Sequence, residues 1–185
     1  RLLRSPPGAA PVSLVSDSVA AAVLVPLVEI DGETHIVLIK RPDTMSNHKG
    51  EIAFPGGKFE PAADTDLRAA ALREAHEEIG LDPHVVEVVA RLTGVATAAS
   101  RFTITPFVGF LASRPSLTPN PAEVVRVLEV PISGLLDETV YHEERWDGFQ
   151  RDMSVYFFDL PDETVWGATA RILTDLLTRL VTTGA

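Results

Sequence analysis

The stretch from Asp66 to Gly80 constrains this chain more than any other. Ala, Leu, Arg and Glu dominate it, all good helix formers, and Gly80 stands where a C-terminal cap belongs, so the composition predicts a helix over 66–79. Within it Glu74, Glu77 and Glu78 stand at i, i+3 and i+4, and about 100° per residue gathers them into an arc of about 100°. Leu67, Ala71, Ala75 and Ile79 form the neighbouring apolar stripe, so the carboxylates flank the buried side instead of opposing it. Like charges at this spacing cost a few tenths of a kcal/mol per pair, and more when desolvated. A hard cation removes that cost, and Mg²⁺ favours carboxylate oxygens shared with substrate phosphates.

Spacing alone is more often that of a solvated face. The upstream Phe54-Pro55-Gly56-Gly57 changes the balance, because successive glycines let backbone groups approach a metal or phosphate with no Cβ in the way. Arg73, four residues before Glu77, can hold that carboxylate or form an ordinary surface ion pair.

A chain of 185 residues, 45% hydrophobic, supports one domain, expected over 18–185 behind a flexible N-terminal arm at 1–17. Val19 to Ile30 and His35 to Arg41 read as antiparallel strands around Asp31-Gly32-Glu33. Glu51 to Phe54 is a short strand stopped by Pro55-Gly56-Gly57. Val85 to Leu92, Phe102 to Leu111, Glu123 to Val130, Tyr141 to Trp146 and Ser154 to Leu160 are further strands, Leu135-Leu136 one helical turn, and Val165 to Val181 a closing amphipathic helix. The sum is an α/β or α+β sandwich around a mixed sheet.

Composition also excludes. A net charge of -10 repels nucleic acid phosphates. The apolar run Val19 to Val28 is about half of what a spanning helix needs, so no membrane partner is expected. The absence of cysteine removes disulfides, thiolate zinc sites and cysteine nucleophiles, and fits a reducing, cytoplasmic location. His35, His48, His76, His84 and His142 show no zinc-ligand spacing, and His76 is expected to face solvent.

Arg73-Glu74-Ala75-His76-Glu77-Glu78-Ile79-Gly80-Leu81 resembles the second half of the Nudix box at all nine positions. His48-Lys49-Gly50-Glu51-Ile52-Ala53-Phe54-Pro55-Gly56-Gly57 is similar to the signature of the coenzyme A pyrophosphatase branch. Val130-Pro131-Ile132 and Val165-Trp166-Gly167-Ala168-Thr169-Ala170-Arg171 are similar to its later segments. Two positions depart. The loop between Gly57 and Arg73 is longer than usual, so that the box's early glutamate falls on Thr65, and Ser46 stands where the branch signature carries an arginine.

The resemblance implies a Nudix-type α/β/α sandwich with a central mixed β-sheet. It also implies Mg²⁺ or Mn²⁺ on the box glutamates and hydrolysis of a nucleoside diphosphate linked to another moiety, coenzyme A first and ADP-ribose, NADH or another nucleotide second. A third alternative is a nucleotide-binding module without catalysis. The expected metal ligands are Glu74, Glu77, Glu78 and the Gly57 carbonyl. Glu77 and Glu78 carry the catalysis, joined by Glu123, whose other reading is a solvated strand-edge charge. Arg41, His48 and Lys49, from a locally basic segment, and Gly56 and Gly57 are expected at the substrate, although such cations also serve as solubilising surface. Phe102 and Trp166 are stacking candidates better suited to core packing. The expected partner is a small-molecule nucleotide, with a homodimer left open.

Overall fold

A computed structural model of the chain describes residues 18–43, 50–97, 101–146 and 153–183. The arm at 1–17 therefore lies outside the described residues, as do His48 and Lys49.

Strand β1 (Val19–Ile30) turns into β2 (Glu33–Lys40) through Asp31 and Gly32, both at positive φ (52° and 83°), the conformation of a two-residue hairpin turn. Ile30 faces Glu33 across the turn. Two short strands, β3 (Ile52–Ala53) and β4 (Gly56–Lys58), follow. The glycine pair expected only to stop a strand is itself paired: Ala22 faces Gly57 and Val23 faces Gly56. The reason is spacing. A Cβ on Gly56 would lie 2.4 Å from the Ala22 carbonyl oxygen, so only glycine lets the chain run this close to β1.

The long helix α1 (Leu67–Ile79) is capped by the Asp66 side chain, which accepts from the Ala69 amide at 2.8 Å, and by Gly80 at φ 66°. After one 3₁₀ turn at Pro83–Val85, β5 (Val86–Arg91), β6 (Val95–Ala96) and β7 (Phe102–Leu111) complete that side of the sheet. Strand β8 (Arg126–Pro131) lies against β2 and runs into the single turn α2 (Ile132–Leu135). The sheet is mixed, since β1 and β7 pair in parallel from Val19–Phe102 to Val28–Leu111 while every other pairing is antiparallel.

A second sheet of three strands, β9 (Tyr141–Trp146), β10 (Met153–Asp159) and β11 (Thr164–Trp166), precedes the last helix α3 (Gly167–Thr183). The helix expected from Val165 thus starts two residues later. β-branched Thr164 and Val165 pair with Asp159 and Phe158 as a strand, and Gly167 at φ 64° separates strand from helix.

Each face of the main sheet meets its own layer. Leu24, Val28, Val37 and Ile39 pack with Ala70, Ala71, Ala75 and Ile79 of α1. Val25, Leu27, Ile36 and Leu38 point the other way, into a cluster with Ile172, Leu173, Leu176 and Leu177 of α3 and Phe158 of the second sheet. Strands covered on both sides read as the unbroken apolar run at the start of the chain. This is the α/β/α sandwich, and it holds one face of α1 against the sheet where the glycine pair passes.

Candidate active site

Three elements converge at the C-terminal half of α1. Glu78 points inward and is 1% exposed; its Oε2 accepts from the Gly56 amide at 2.9 Å and its Oε1 lies 3.3 Å from Arg41 Nη1. Burial pushes the Glu78 carboxyl up to about 7, against the Gly56 amide and the Arg41 guanidinium, which favour the charged form, and with Glu74 and Glu123 adding repulsion. Glu74 is half-buried and lies against Gly57, where a Cβ would sit 2.5 Å from its carboxyl carbon. Its pKa is raised too, first by burial and then by Glu77 and Glu123, with Arg73 opposing. Glu77 is the outer member, its side chain 51% exposed.

Arg73 organises this face. Its Nη1 lies 3.0 Å from Glu74 Oε1 and donates to Glu77 Oε2 at 2.9 Å, while Nη2 donates to the Lys58 carbonyl at 3.1 Å. The same guanidinium binds Asp64, a residue that sequence reasoning passed over because the family's early acidic position falls on Thr65. Asp64 is 6% exposed and also accepts from the Glu60 amide at 2.8 Å. Asp64 directly precedes Thr65, the position to which the resemblance assigns a glutamate, and its side chain is one methylene shorter. The signal was present as an aspartate next to the expected glutamate position.

Glu123 reaches the same region through the chain that caps α1. The Thr118 amide donates to the Ile79 carbonyl and the Asn120 amide to the Glu78 carbonyl, both at 2.8 Å, and the turn that follows carries Glu123. Its charge acts on both Glu74 and Glu78. His76 is exposed, as expected. Arg41 belongs to the cluster, but its guanidinium faces Glu78 and not open solvent. Phe102 is half-buried near the sheet end, and Trp166 is exposed on the second sheet beside Trp146.

The donor chemistry fits a hard divalent cation: carboxylates raised in pKa by burial and mutual repulsion, on a glycine cradle that a Cβ would fill. Among the described residues no three acidic or histidine side chains already enclose a common point, because Arg73 draws Glu74 and Glu77 toward itself. A bound cation would share those oxygens with the guanidinium. Glu74, Glu77 and Glu78 are the side chains that would hold it, with the carbonyl of the glycine pair alongside.

Comparison with known proteins bears on this geometry. Residues 19–146 match the NUDIX domain. The chain is 43% identical over 160 residues to Nudix hydrolase 22, chloroplastic, of Arabidopsis thaliana, a match covering 83% of this chain and 52% of that protein. It is 40% identical over 141 residues to the peroxisomal coenzyme A diphosphatase NUDT7 of Mus musculus, covering 76% and 59%. The chain therefore spans little more than half the length of these two relatives. A crystal structure of a MutT/nudix family protein from Enterococcus faecalis shares the fold with a TM-score of 0.63 at 16% identity, over 90% of this chain and 63% of that one. No helix among the described residues is long and apolar enough to cross a membrane.

Proposed function

The chain belongs to the Nudix family of hydrolases, and from that premise we propose that it is a pyrophosphohydrolase dependent on Mg²⁺ or Mn²⁺. The substrate is coenzyme A or an acyl-coenzyme A, split to 3′,5′-ADP and (acyl)phosphopantetheine. The observation that carries the reading is the seating of Glu74 and Glu78 on Gly57 and Gly56, which gathers hard oxygen donors beside backbone that a phosphate can approach. The identity to the mouse coenzyme A diphosphatase supports the substrate, as does the segment from His48 to Gly57.

Divalent metal bound here supplies charge neutralisation of the diphosphate and a water of lowered pKa. The protein's own part is positional. Gly56 fixes one oxygen of Glu78, Arg73 sets the spacing between Glu74 and Glu77, and Arg41 favours the charged form of Glu78 against its burial. Water oxygen bonds to phosphorus as the phosphorus bond to the bridging oxygen breaks, the electron pair leaving on that oxygen. Glu123 takes the proton released by the water, a role its turn on the end of α1 allows. Glu77 and Glu78 would hold the metal, which would supply the positive charge opposite the diphosphate, and His48 and Lys49 contribute to substrate binding. The protein acts in the cytoplasm on a small nucleotide, as a monomer or homodimer.

Incubation with Mg²⁺ and a panel of coenzyme A, acetyl-coenzyme A, ADP-ribose and NADH in ¹⁸O-labelled water, read by mass spectrometry, tests both substrate and attacked phosphorus. Coenzyme A turned over no faster than ADP-ribose defeats the substrate assignment. Binding without turnover of any member leaves a nucleotide-binding module instead.

A further inference from the structure

Glu123 is far from the carboxylate helix in sequence, so its place beside Glu74 and Glu78 depends on how the turn before β8 is held. Asn120 sits at the centre of that turn. Its amide donates to the Glu78 carbonyl at 2.8 Å, and its own carbonyl accepts from the amides of Glu123 and Val124, at 3.0 and 2.8 Å. One residue thus bonds the main chain of Glu78 on one side and that of Glu123 on the other. The side chain closes the turn from within, because Oδ1 accepts from the Ala122 amide at 3.1 Å.

We propose that Asn120 is the positioning residue for Glu123, holding that carboxylate in a fixed relation to Glu78. The inference rests on the hydrolase reading of the site and on the proton-accepting part given there to Glu123. The ends of the segment are anchored independently. Before the turn, the Thr118 amide donates to the Ile79 carbonyl. After it, Val124 is buried against the cluster that holds Ala75 and Ile79, and the Val125 amide donates to the Lys40 carbonyl at 2.9 Å. These contacts fix where the segment lies, and Asn120 fixes its shape between them.

Pro119 and Pro121 on either side have no amide hydrogen to contribute, so the turn draws its bonds from Asn120 and the two residues after Pro121. Without the side-chain acceptor the Ala122 amide is left to water, and the direction in which Glu123 leaves the turn is no longer set. Aspartate keeps an acceptor at the same reach; alanine and glycine do not. A misplacement of about 1 Å can cost about a hundredfold in rate, so a side chain remote from substrate can act on kcat through the residue it places.

The test is steady-state turnover of coenzyme A, acetyl-coenzyme A, ADP-ribose and NADH with Mg²⁺ by the parent and by N120A, N120G, N120D, E123Q and N120A/E123Q, with circular dichroism to confirm folding. On the best substrate of the parent, N120A and N120G should lose about tenfold in kcat with KM within about twofold, and N120D should stay within about threefold. E123Q should lose about a hundredfold. Adding N120A to E123Q should change kcat by less than about twofold, since the acceptor it would displace is already gone. Parental kcat in both N120A and N120G, parental kcat in E123Q, or a loss from N120A carried undiminished into the E123Q background overturns this inference alone. A parent that turns over no member of the panel overturns the hydrolase reading and this inference with it.

Discussion

Arg73 grips Asp64 with two parallel hydrogen bonds, Nε to Oδ1 at 2.8 Å and Nη2 to Oδ2 at 3.0 Å. A fork of this kind fixes the plane of the guanidinium and with it the direction in which Nη1 addresses Glu74 and Glu77. Asp64 thereby sets the geometry of carboxylates it does not touch. Replacing it with Asn should cost on the order of 2 kcal/mol in urea unfolding, the scale of lost hydrogen bonds to a charged group. It should also weaken Mg²⁺ binding about tenfold, and T65E should leave both unchanged. A D64N protein with parental stability and Mg²⁺ affinity would show the fork to be incidental.

Asp64 also predicts an acid limb. The hydrogen bonds from Arg73 hold its pKa below the ordinary 3.8, against the desolvation that raises it. A depressed carboxylate contributes stability present above the unfolded value and lost as pH falls through the folded one. Unfolding midpoints from pH 5 down to pH 2 should therefore drop more steeply for the parent than for D64N, the two curves converging at the acid end.

Glu78 has the opposite sign. Its folded pKa of about 7 lies above the unfolded 4.5, so its contribution is fully present below about pH 4.5 and is lost as pH rises through about 7. The protein in chelator should lose stability across that window, and E78Q should flatten the loss. Added Mg²⁺ should restore the parent at pH 8 and leave E78Q unmoved. Thermal melts at pH 5 and pH 8, with EDTA or with Mg²⁺, give the four values needed.

Glu77 separates function from folding. Its side chain is half exposed and its partner Arg73 retains two other carboxylates, so E77Q should change unfolding free energy by less than about 0.5 kcal/mol. Turnover should fall by at least about a hundredfold, since a neutral amide would hold a divalent cation less well than the carboxylate it replaces. Parental kcat in E77Q would move the ligand set elsewhere.

Gly57 can be tested by a single methyl group. A Cβ there would come within 2.5 Å of the Glu74 carboxyl, so G57A must push that side chain off the cradle. Because only the flexible end of Glu74 has to move, urea unfolding should change by less than about 1 kcal/mol while turnover falls. Pairing G57A with E74A should restore no activity.

Where the sequence carries a strong local signal, structure and expectation agree. The 66–79 helix begins and ends at Asp66 and Gly80, and the strand Phe102 to Leu111 is placed residue for residue. Local signals fail where the partner is remote. Nothing near Gly56-Gly57 indicates pairing with β1, because only the approach of Ala22 demands the missing Cβ. Val165 and Trp166 continue a helical apolar pattern, yet β10 recruits them as a strand. The same limit applies to the site. Helical spacing brings Glu74, Glu77 and Glu78 together, but their unequal burial depends on the sheet, and Arg41 comes to Glu78 from 37 residues away. Asp64 was passed over because it stands one residue before the position the resemblance marks, and only the folded loop brings it to Arg73.

The long parallel seam between β1 and β7 joins positions 83 apart along the chain, Val19 beside Phe102. As the polypeptide emerges from a ribosome, β1 must wait for another 83 residues before its parallel neighbour begins. Acidic helix and glycine turn are both made in that interval, yet neither has a finished surface to rest on. Chain closure of this span is entropically slow, so catalytic competence arrives late in folding, as a property of the completed whole.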